Sequence, residues 1–399
     1  MSIASEITRL QNDSAAIASA IEAKGVTVPS GSGFDDYAGL IANISGGGST
    51  DDWIKDGDTH LWINILTENQ LSQSIRIRMI GTIDWGDGTA KETANVTTYT
   101  TFTHAYTNTG RYRIDLHPTS GVFYLGGASS SYNVMGSRTN PRFYKYAVLY
   151  QVQVGRDIIT SLSSYAFYYC AGVQRVFIPK NITSIATSTF YCNYALTEVI
   201  FEDATKITTA TLTSNFHTCN ALQVIRGFNI RVGTSMTTPI RNCYCLREFT
   251  IPGTVTSIAA NSFANTYSMK YLYCLPTTPP TVDNSNAFSN LNTSCVIAVP
   301  YGSLSAYQSK SIWSDLASQM AEAGLITYNL TNVSSSNNTD MVISGESYTT
   351  MLTPDSGYTL GTVTVTMGGI DITSSAYSDG VVTIANVTGN ITIKAEGAE

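Results

Sequence analysis

The chain has 399 residues, 43% of them hydrophobic and 13% charged, with a formal net charge of −7. That length implies roughly two to four domains, and the apolar content excludes a chain too polar to build a core. The acidic balance without a basic stripe excludes nucleic acid as a partner, and the lack of any apolar run near eighteen residues excludes insertion into a membrane by a helix.

Ile3, Ile7, Leu10, Ser14, Ile17 and Ile21 are spaced four and three residues apart, a heptad seam with one polar member that stops at Gly25. So short a helix needs something to pack on: its own chain, or two copies of itself in a parallel homotrimer. After Val26-Thr27-Val28-Pro29, a short helix is expected over Phe34, Tyr37, Leu40, Ile41 and Ile44, with Asp35 or Asp36 at its start. Gly46-Gly47-Gly48-Ser49 then reads as a flexible linker. The N-terminus, MSIASEITRLQNDSAA, has no signal-peptide apolar run, so export by the secretory route is not expected. The order of Ile-rich helix, Ala23-Lys24-Gly25-Val26-Thr27-Val28-Pro29 and Phe34-Asp35-Asp36-Tyr37 resembles an anchoring module of tail-fibre and minor structural proteins of bacteriophages infecting gut Gram-positive bacteria. The resemblance implies that residues 1–45 attach the protein to other virion proteins, with Ile3, Ile7, Leu10, Ile17 and Ile21 as the oligomerisation seam.

Residues 53–117 alternate as strands: Leu61–Ile65, Ile75–Met79, Thr82–Thr89, Phe102–Tyr106 and Gly110–Ile114. Gly86 and Gly88 meet a turn's need for positive φ, Trp85 is a core residue, and His104 is expected to hydrogen-bond locally. Asp84 and Asp87 fall short of the six to eight oxygens that calcium takes. A strand entering Trp85-Gly86-Asp87-Gly88-Thr89, followed by His104-Ala105-Tyr106 and Gly110-Arg111-Tyr112-Arg113-Ile114, resembles the PKD (polycystic kidney disease) domain, which implies a β-sandwich over 51–120. Residues 118–142 lose this pattern and read as a loop that caps the first coil of the next domain.

From Phe143 the chain repeats. Anchors at Phe143, Phe167, Phe190, Phe216, Ile240, Phe263 and Phe288 are 23 to 26 residues apart. Apolar residues recur six places on (Leu149, Val173, Leu196, Leu222, Leu246, Met269) and nine places on (Val152, Val176, Val199, Ile225, Phe249, Leu272, Ile297). Six of the seven units are apolar again at eleven, and Pro179, Pro252 and Pro300 follow at twelve. Such a period means a solenoid whose coils bury their apolar faces by stacking on neighbours. All seven cysteines fall inside it, and Cys170, Cys219 and Cys243 share one offset, which reads as a ladder of buried thiols rather than disulfides or a metal site. The units resemble BspA-like leucine-rich repeats, with Phe167 to Pro179 and Ile240 to Pro252 nearest the pattern and the unit at Phe216, with Gly227, degenerate. The expected solenoid spans 140–322, and Tyr301 to Asp315 resembles the helical cap of such arrays.

Residues 326–399 alternate again, as in Thr362–Met367 and Asn390–Lys394, with turns at Gly368-Gly369 and Asp379-Gly380. They resemble the small immunoglobulin-like β-sandwiches that decorate phage tail and bacterial surface proteins. The expected fold class is therefore multidomain and mainly β: helical anchor, PKD-like sandwich, leucine-rich solenoid and C-terminal Ig-like sandwich.

The four histidines are scattered, and no nucleophile elbow, zinc helix or phosphate loop occurs, so no catalytic residue, metal or cofactor is expected. Tyrosine, at 24 residues, is the stronger signal. Tyr168, Tyr169, Tyr191, Tyr194, Tyr244 and Tyr267, with Tyr144 and with His217 in the equivalent place, follow the anchors, and equal offsets stack about 4.8 Å apart. These rings either shield the wide end of each coil or form a ligand-binding edge. The first expectation is a non-enzymatic phage virion protein, made in the host cytoplasm and sited on tail or capsid, that binds a host cell-surface protein or glycan. The alternative is a bacterial cell-surface adhesin.

Overall fold

A computed structural model describes residues 53–54, 56–127, 129–137, 148–228, 230 and 232–398. The chain divides into two compact units, Met1–Asp56 and Gly57–Glu399. The N-terminal seam, the anchor Phe143 and Tyr144 lie outside the described residues. The second unit is mainly β.

Its first strands are β1 (Thr59–Ile65), β2 (Ser72–Asp84), β3 (Glu92–Asn95), β4 (Thr100–Ala105) and β5 (Gly110–Leu125). Alternation in β2 buries Ile75, Ile77, Met79 and Ile83 on one face, as a half-buried strand requires. β5 runs through the boundary expected at residue 120, because Phe123 and Leu125 are core residues that pair opposite Met79 and Ile77. The segment expected as a patternless loop is thus partly strand. Beyond it, a hairpin of Tyr132–Asn133 and Gly136–Ser137 bridges to the next coil, with the Val134 N–H donating to the Ala166 carbonyl at 2.8 Å.

β1 is buried nearly throughout because it has a neighbour on each side. Leu61 lies opposite Ile114 of β5 and opposite Val152 of β6 (Leu149–Gln153), the first solenoid strand. From there the sheet turns parallel through β7 (Arg175–Ile178), β8 (Glu198–Phe201) and β9 (Val224–Arg226). One nine-stranded sheet therefore contains both regions. Short strands form the opposite wall of the coils, Ser161–Leu162, Ser184–Ile185 and Thr209–Ala210 in one group. Leu212–Thr213, Ser235–Thr237, Ser257–Ile258 and Thr281–Val282 form the other. The long unit between Phe190 and Phe216 changes groups at Thr211, which absorbs its extra residues.

Inside the coils the anchors stack. Phe167, Phe190 and Phe216 lie 5.4 Å apart ring to ring and within 2° of parallel, and Phe263 stacks on Phe288 at 5.4 Å. The turns use left-handed backbone two residues before five of the anchors (Tyr165, Ser188, Ser214, Thr238, Asn261) and two residues after six of them (Tyr169, Cys192, Thr218, Asn242, Asn265, Asn290). Non-glycine residues in this region carry strain. The N–H groups of Tyr169, Cys192, Thr218, Asn242 and Asn265 all donate to carbonyls of the next coil at 2.7–3.0 Å, so the ladder offsets it. The shared cysteine offset has a parallel role: the thiols of Cys219 and Cys243 donate to the Phe190 and Phe216 carbonyls at 3.1 and 3.0 Å.

The parallel sheet breaks at the degenerate unit. Gly227 has φ +65, and a Cβ there would collide with the Phe201 carbonyl. After β9 the chain leaves the sheet, and β10 (Glu248–Ile251) begins a second one with β11 (Tyr271–Cys274) and β12 (Val296–Pro300). Next come α1 (Leu304–Ser309) and a 3-10 turn (Trp313–Gln319), both fully burying an aromatic, with Trp313 against Phe288 and Tyr307 edge-on to Trp313. β13 (Met320–Thr331) then continues the same sheet, pairing parallel with β12 at Ile297–Met320 and with the C-terminal strand at Ile326–Ile391. The boundary expected between 322 and 326 falls inside this one strand. Two facing sheets complete the C-terminal region around Tyr348, Leu352, Val365, Val382, Ile384 and Ile393.

Candidate ligand-binding surfaces

The aromatic edge arises from the turn after each anchor. Tyr168, Tyr191 and His217 occupy the first position after theirs and form a stack, with ring centroids 5.1 and 4.7 Å apart. Tyr169 meets Tyr194 edge-on at 5.5 Å, beside this stack. Tyr244 and Tyr267, four places after their anchors, pair at 5.6 Å. The seven therefore fall into two groups along the edge; Tyr194 shares the column of Tyr244 and Tyr267, and Asn220 holds the place between Tyr194 and Tyr244. The first group is half-buried, while Tyr244 and Tyr267 are 38% and 54% exposed.

Burial, helped by the Arg241 cation, pushes His217 down to about 4, so it is neutral at physiological pH. Burial likewise raises the Tyr191 and Tyr194 phenols. Beside the exposed pair runs an amide ladder: Asn265 donates to Asn242 at 2.8 Å, and Asn290 donates to Asn265 at 2.7 Å. The edge is a ring-and-amide surface, with the Arg241 cation next to His217.

A second surface was not visible in the sequence. Arg247 N–H still donates to the Gln223 carbonyl at 3.2 Å, but β9 and β10 diverge beyond that bond. The wedge between them forms a cleft of about 470 Å3, floored by Phe228, Phe249 and Tyr273 and roofed by loop 336–341 of the C-terminal region. Arg226, Glu248, Thr250, Asn338 and Asp340 add polar groups to its walls. The loop is pinned from behind. The Tyr328 hydroxyl donates to the Asn337 carbonyl at 2.7 Å with the Thr339 carbonyl 3.0 Å away, and Asn337 N–H donates to Thr350 Oγ1 at 3.1 Å. Met341 is buried in a cluster with Ala298 and Ala323, packed by Tyr273 and Leu275. The only sequence signal was Gly227, where the repeat lapses.

Elsewhere, candidate chemistry is absorbed by structure. Asp84 and Asp87 accept from the Gly86 and Thr89 backbone at 3.0 and 3.1 Å, and Asp87 also binds His104 Nε2 at 2.7 Å. His104 stacks on Trp85, and His60 pairs with Asp115 at 2.7 Å. Among the described residues no three His, Cys, Asp or Glu side chains are grouped to hold a metal ion. Among them, too, no helix is long and apolar enough to cross a membrane.

Residues 139–270 and 239–311 match the BspA type leucine rich repeat region, in six copies. The solenoid carries BspA-type leucine-rich repeats. No curated protein matches the chain. Several solved structures resemble it, among them two leucine-rich proteins. One is a leucine rich cell surface protein from Faecalibacterium prausnitzii A2-165, at 19% identity over 48% of this chain, with TM-score 0.24. This chain spans 40% of that protein's length. The other is a leucine-rich repeat protein from Eubacterium ventriosum ATCC 27560, at 13% identity over 53% of this chain and 86% of that one, with TM-score 0.16.

Proposed function

We propose that this protein is a non-enzymatic adhesin, working from a bacterial cell surface, whose BspA-type repeats bind a protein or glycan of another cell. The observation that carries this reading is the repeat array itself, a rigid stack that presents rings and amides rather than a titratable cluster. A stacked array offers surface in proportion to its number of coils. Exposed tyrosine supplies a rigid apolar face with a hydroxyl, suited to binding at low entropic cost. Weak contacts at the edge gain strength when many copies act together.

The N-terminal heptad seam and its resemblance to phage anchoring modules favour a second reading. In it the same binding body is a tail-fibre, baseplate or head-decoration protein, residues 1–45 attach it to other virion proteins, and a homotrimer gives the multivalency. The two readings share the binding body and differ in the target. Labelled full-length protein is offered separately to mucin and matrix-coated surfaces and to bacterial cells. Retention on mucin or matrix alone supports the surface adhesin. Retention on bacterial cells alone reverses the order in favour of the virion protein. Retention on neither overturns adhesion.

A further inference from the structure

We propose that the cleft between β9, β10 and loop 336–341 is a binding site for a neutral oligosaccharide. The proposal rests on the adhesin reading and deepens it, by assigning a ligand class and a place.

The size fits first: about 470 Å3 lies within the roughly 300–1,000 Å3 of small-ligand sites. The chemistry fits next. Tyr273 and Phe228 present partly exposed rings, which suit the apolar C–H face of a pyranose. Around them stand planar groups, the Asn338 amide with a donor and an acceptor side by side and the Glu248 carboxylate with two acceptors, which match adjacent hydroxyls. Burial, together with the Glu248 carboxylate, raises the Tyr273 phenol, so it stays a neutral donor.

Charge decides between sugars. Among the described residues Arg226 is the one cation lining the cleft, and its Nε is held by the Glu198 carboxylate at 2.7 Å. The acidic side chains lining it are Glu248 and Asp340, and Asp340 has a partner of its own. Sialylated, sulfated or phosphorylated ligands would face the Glu248 carboxylate while the lining cation, Arg226, is already engaged by Glu198, which favours a neutral glycan. A peptide added as a strand is disfavoured by length. β9 offers three residues and β10 four before the roof closes over them, too few for a stable ladder. Preorganisation is the last element: the roof is pinned by Tyr328 and Thr350 and the floor by stacked coils, so binding immobilises little protein.

The test uses the full-length chain and saturation-transfer NMR with lactose, chitobiose, mannobiose, maltose and 3′-sialyllactose, followed by calorimetry for any hit. At least one neutral disaccharide is expected to bind, with 3′-sialyllactose weaker. Tyr273→Leu is expected to weaken the hit about tenfold, the scale of one lost ring contact. Asn338→Ala, on the exposed loop where folding is not at stake, should weaken it by a similar factor, while Tyr267→Ala leaves it unchanged. No neutral binding, or binding indifferent to both cleft substitutions, overturns the proposal. So does a preference for the sialylated sugar, or capture of an extended peptide in place of sugar. Cell retention separates this failure from that of the adhesin reading. Cleft variants that adhere like the parent sink the cleft alone, whereas a parent protein that adheres to nothing sinks both.

Discussion

Gly227→Ala tests whether the break in the parallel sheet depends on one backbone conformation. Two costs act together. Left-handed backbone costs an L-residue roughly 1–2 kcal/mol, of which about 0.4–1 is returned by the less flexible unfolded chain. The added Cβ also meets the Phe201 carbonyl, a backbone atom that cannot rotate away, and such overpacking costs about 1–3 kcal/mol. The sum is about 1–4.5 kcal/mol. Gly368 is the matched control, because its φ of +57 is similar and nothing lies within 4 Å of its Cβ position. Gly368→Ala therefore carries only the first cost, about 1 kcal/mol or less after the unfolded-state term. Urea denaturation followed by circular dichroism compares the two midpoints at constant slope. Equal destabilisation by the two substitutions would refute the argument, since it would mean that no close approach to Phe201 holds Gly227 in place.

Three other measurements probe separate parts. Burial raises the Asp87 carboxyl, but hydrogen bonds from Thr89 and His104 outweigh it and hold the group at about 2; its stabilising share is complete above the unfolded value of about 4 and is lost as pH falls towards 2. Melting temperature measured from pH 6 to pH 2 should fall less steeply in Asp87→Asn, though from a lower start, and parallel curves would count against the pairing. Burial raises the Cys170, Cys219 and Cys243 thiols, whereas Cys245 is exposed, so a thiol reagent should label Cys245 first in the native protein and Cys245→Ser should remove that fast phase. Glu198 ties Arg175 at 2.9 Å and Arg226 at 2.7 Å; Glu198→Gln should cost no more than about 1 kcal/mol, because both arginines are partly exposed. It should also raise the relative affinity of the cleft for 3′-sialyllactose by freeing Arg226, and an unchanged ranking in calorimetry would show that Arg226 does not face the ligand.

The repeats were legible because their information is periodic. Each anchor Phe and each apolar residue nine places on is fixed by stacking on its own equivalent, so the pattern appears in sequence without any structure. The left-handed column was hidden. Its occupants are Tyr, Cys, Thr and Asn, and the inter-coil ladder holds them there without the glycine that would announce it. The pairing of β1 with β6 was also hidden, because backbone hydrogen bonds between strand edges impose no side-chain pattern. What could have been read was the burial of both faces in Leu61-Trp62-Ile63-Asn64-Ile65, where a lone sandwich edge would alternate more cleanly. The rings following the anchors were legible as a class, but not their division into columns, since offsets of one, two and four look alike until the turn is built.

The cleft lay beyond sequence because its walls are about 110 residues apart and neither is unusual alone: a wedge needs both a lapse in a repeat and something to roof it. The lapse alone would leave a shallow notch. The roof exists because β13 belongs at once to the solenoid sheet, through Ile297–Met320, and to the C-terminal sheet, through Ile326–Ile391. A flexible linker at that point would let the roof swing and would charge each binding event with its ordering. A shared strand fixes loop 336–341 over β9 and β10 before any ligand arrives. An uninterrupted parallel sheet is flat and offers grip only through what stands on it. Where this array falters, under a loop that cannot move away, it gains depth.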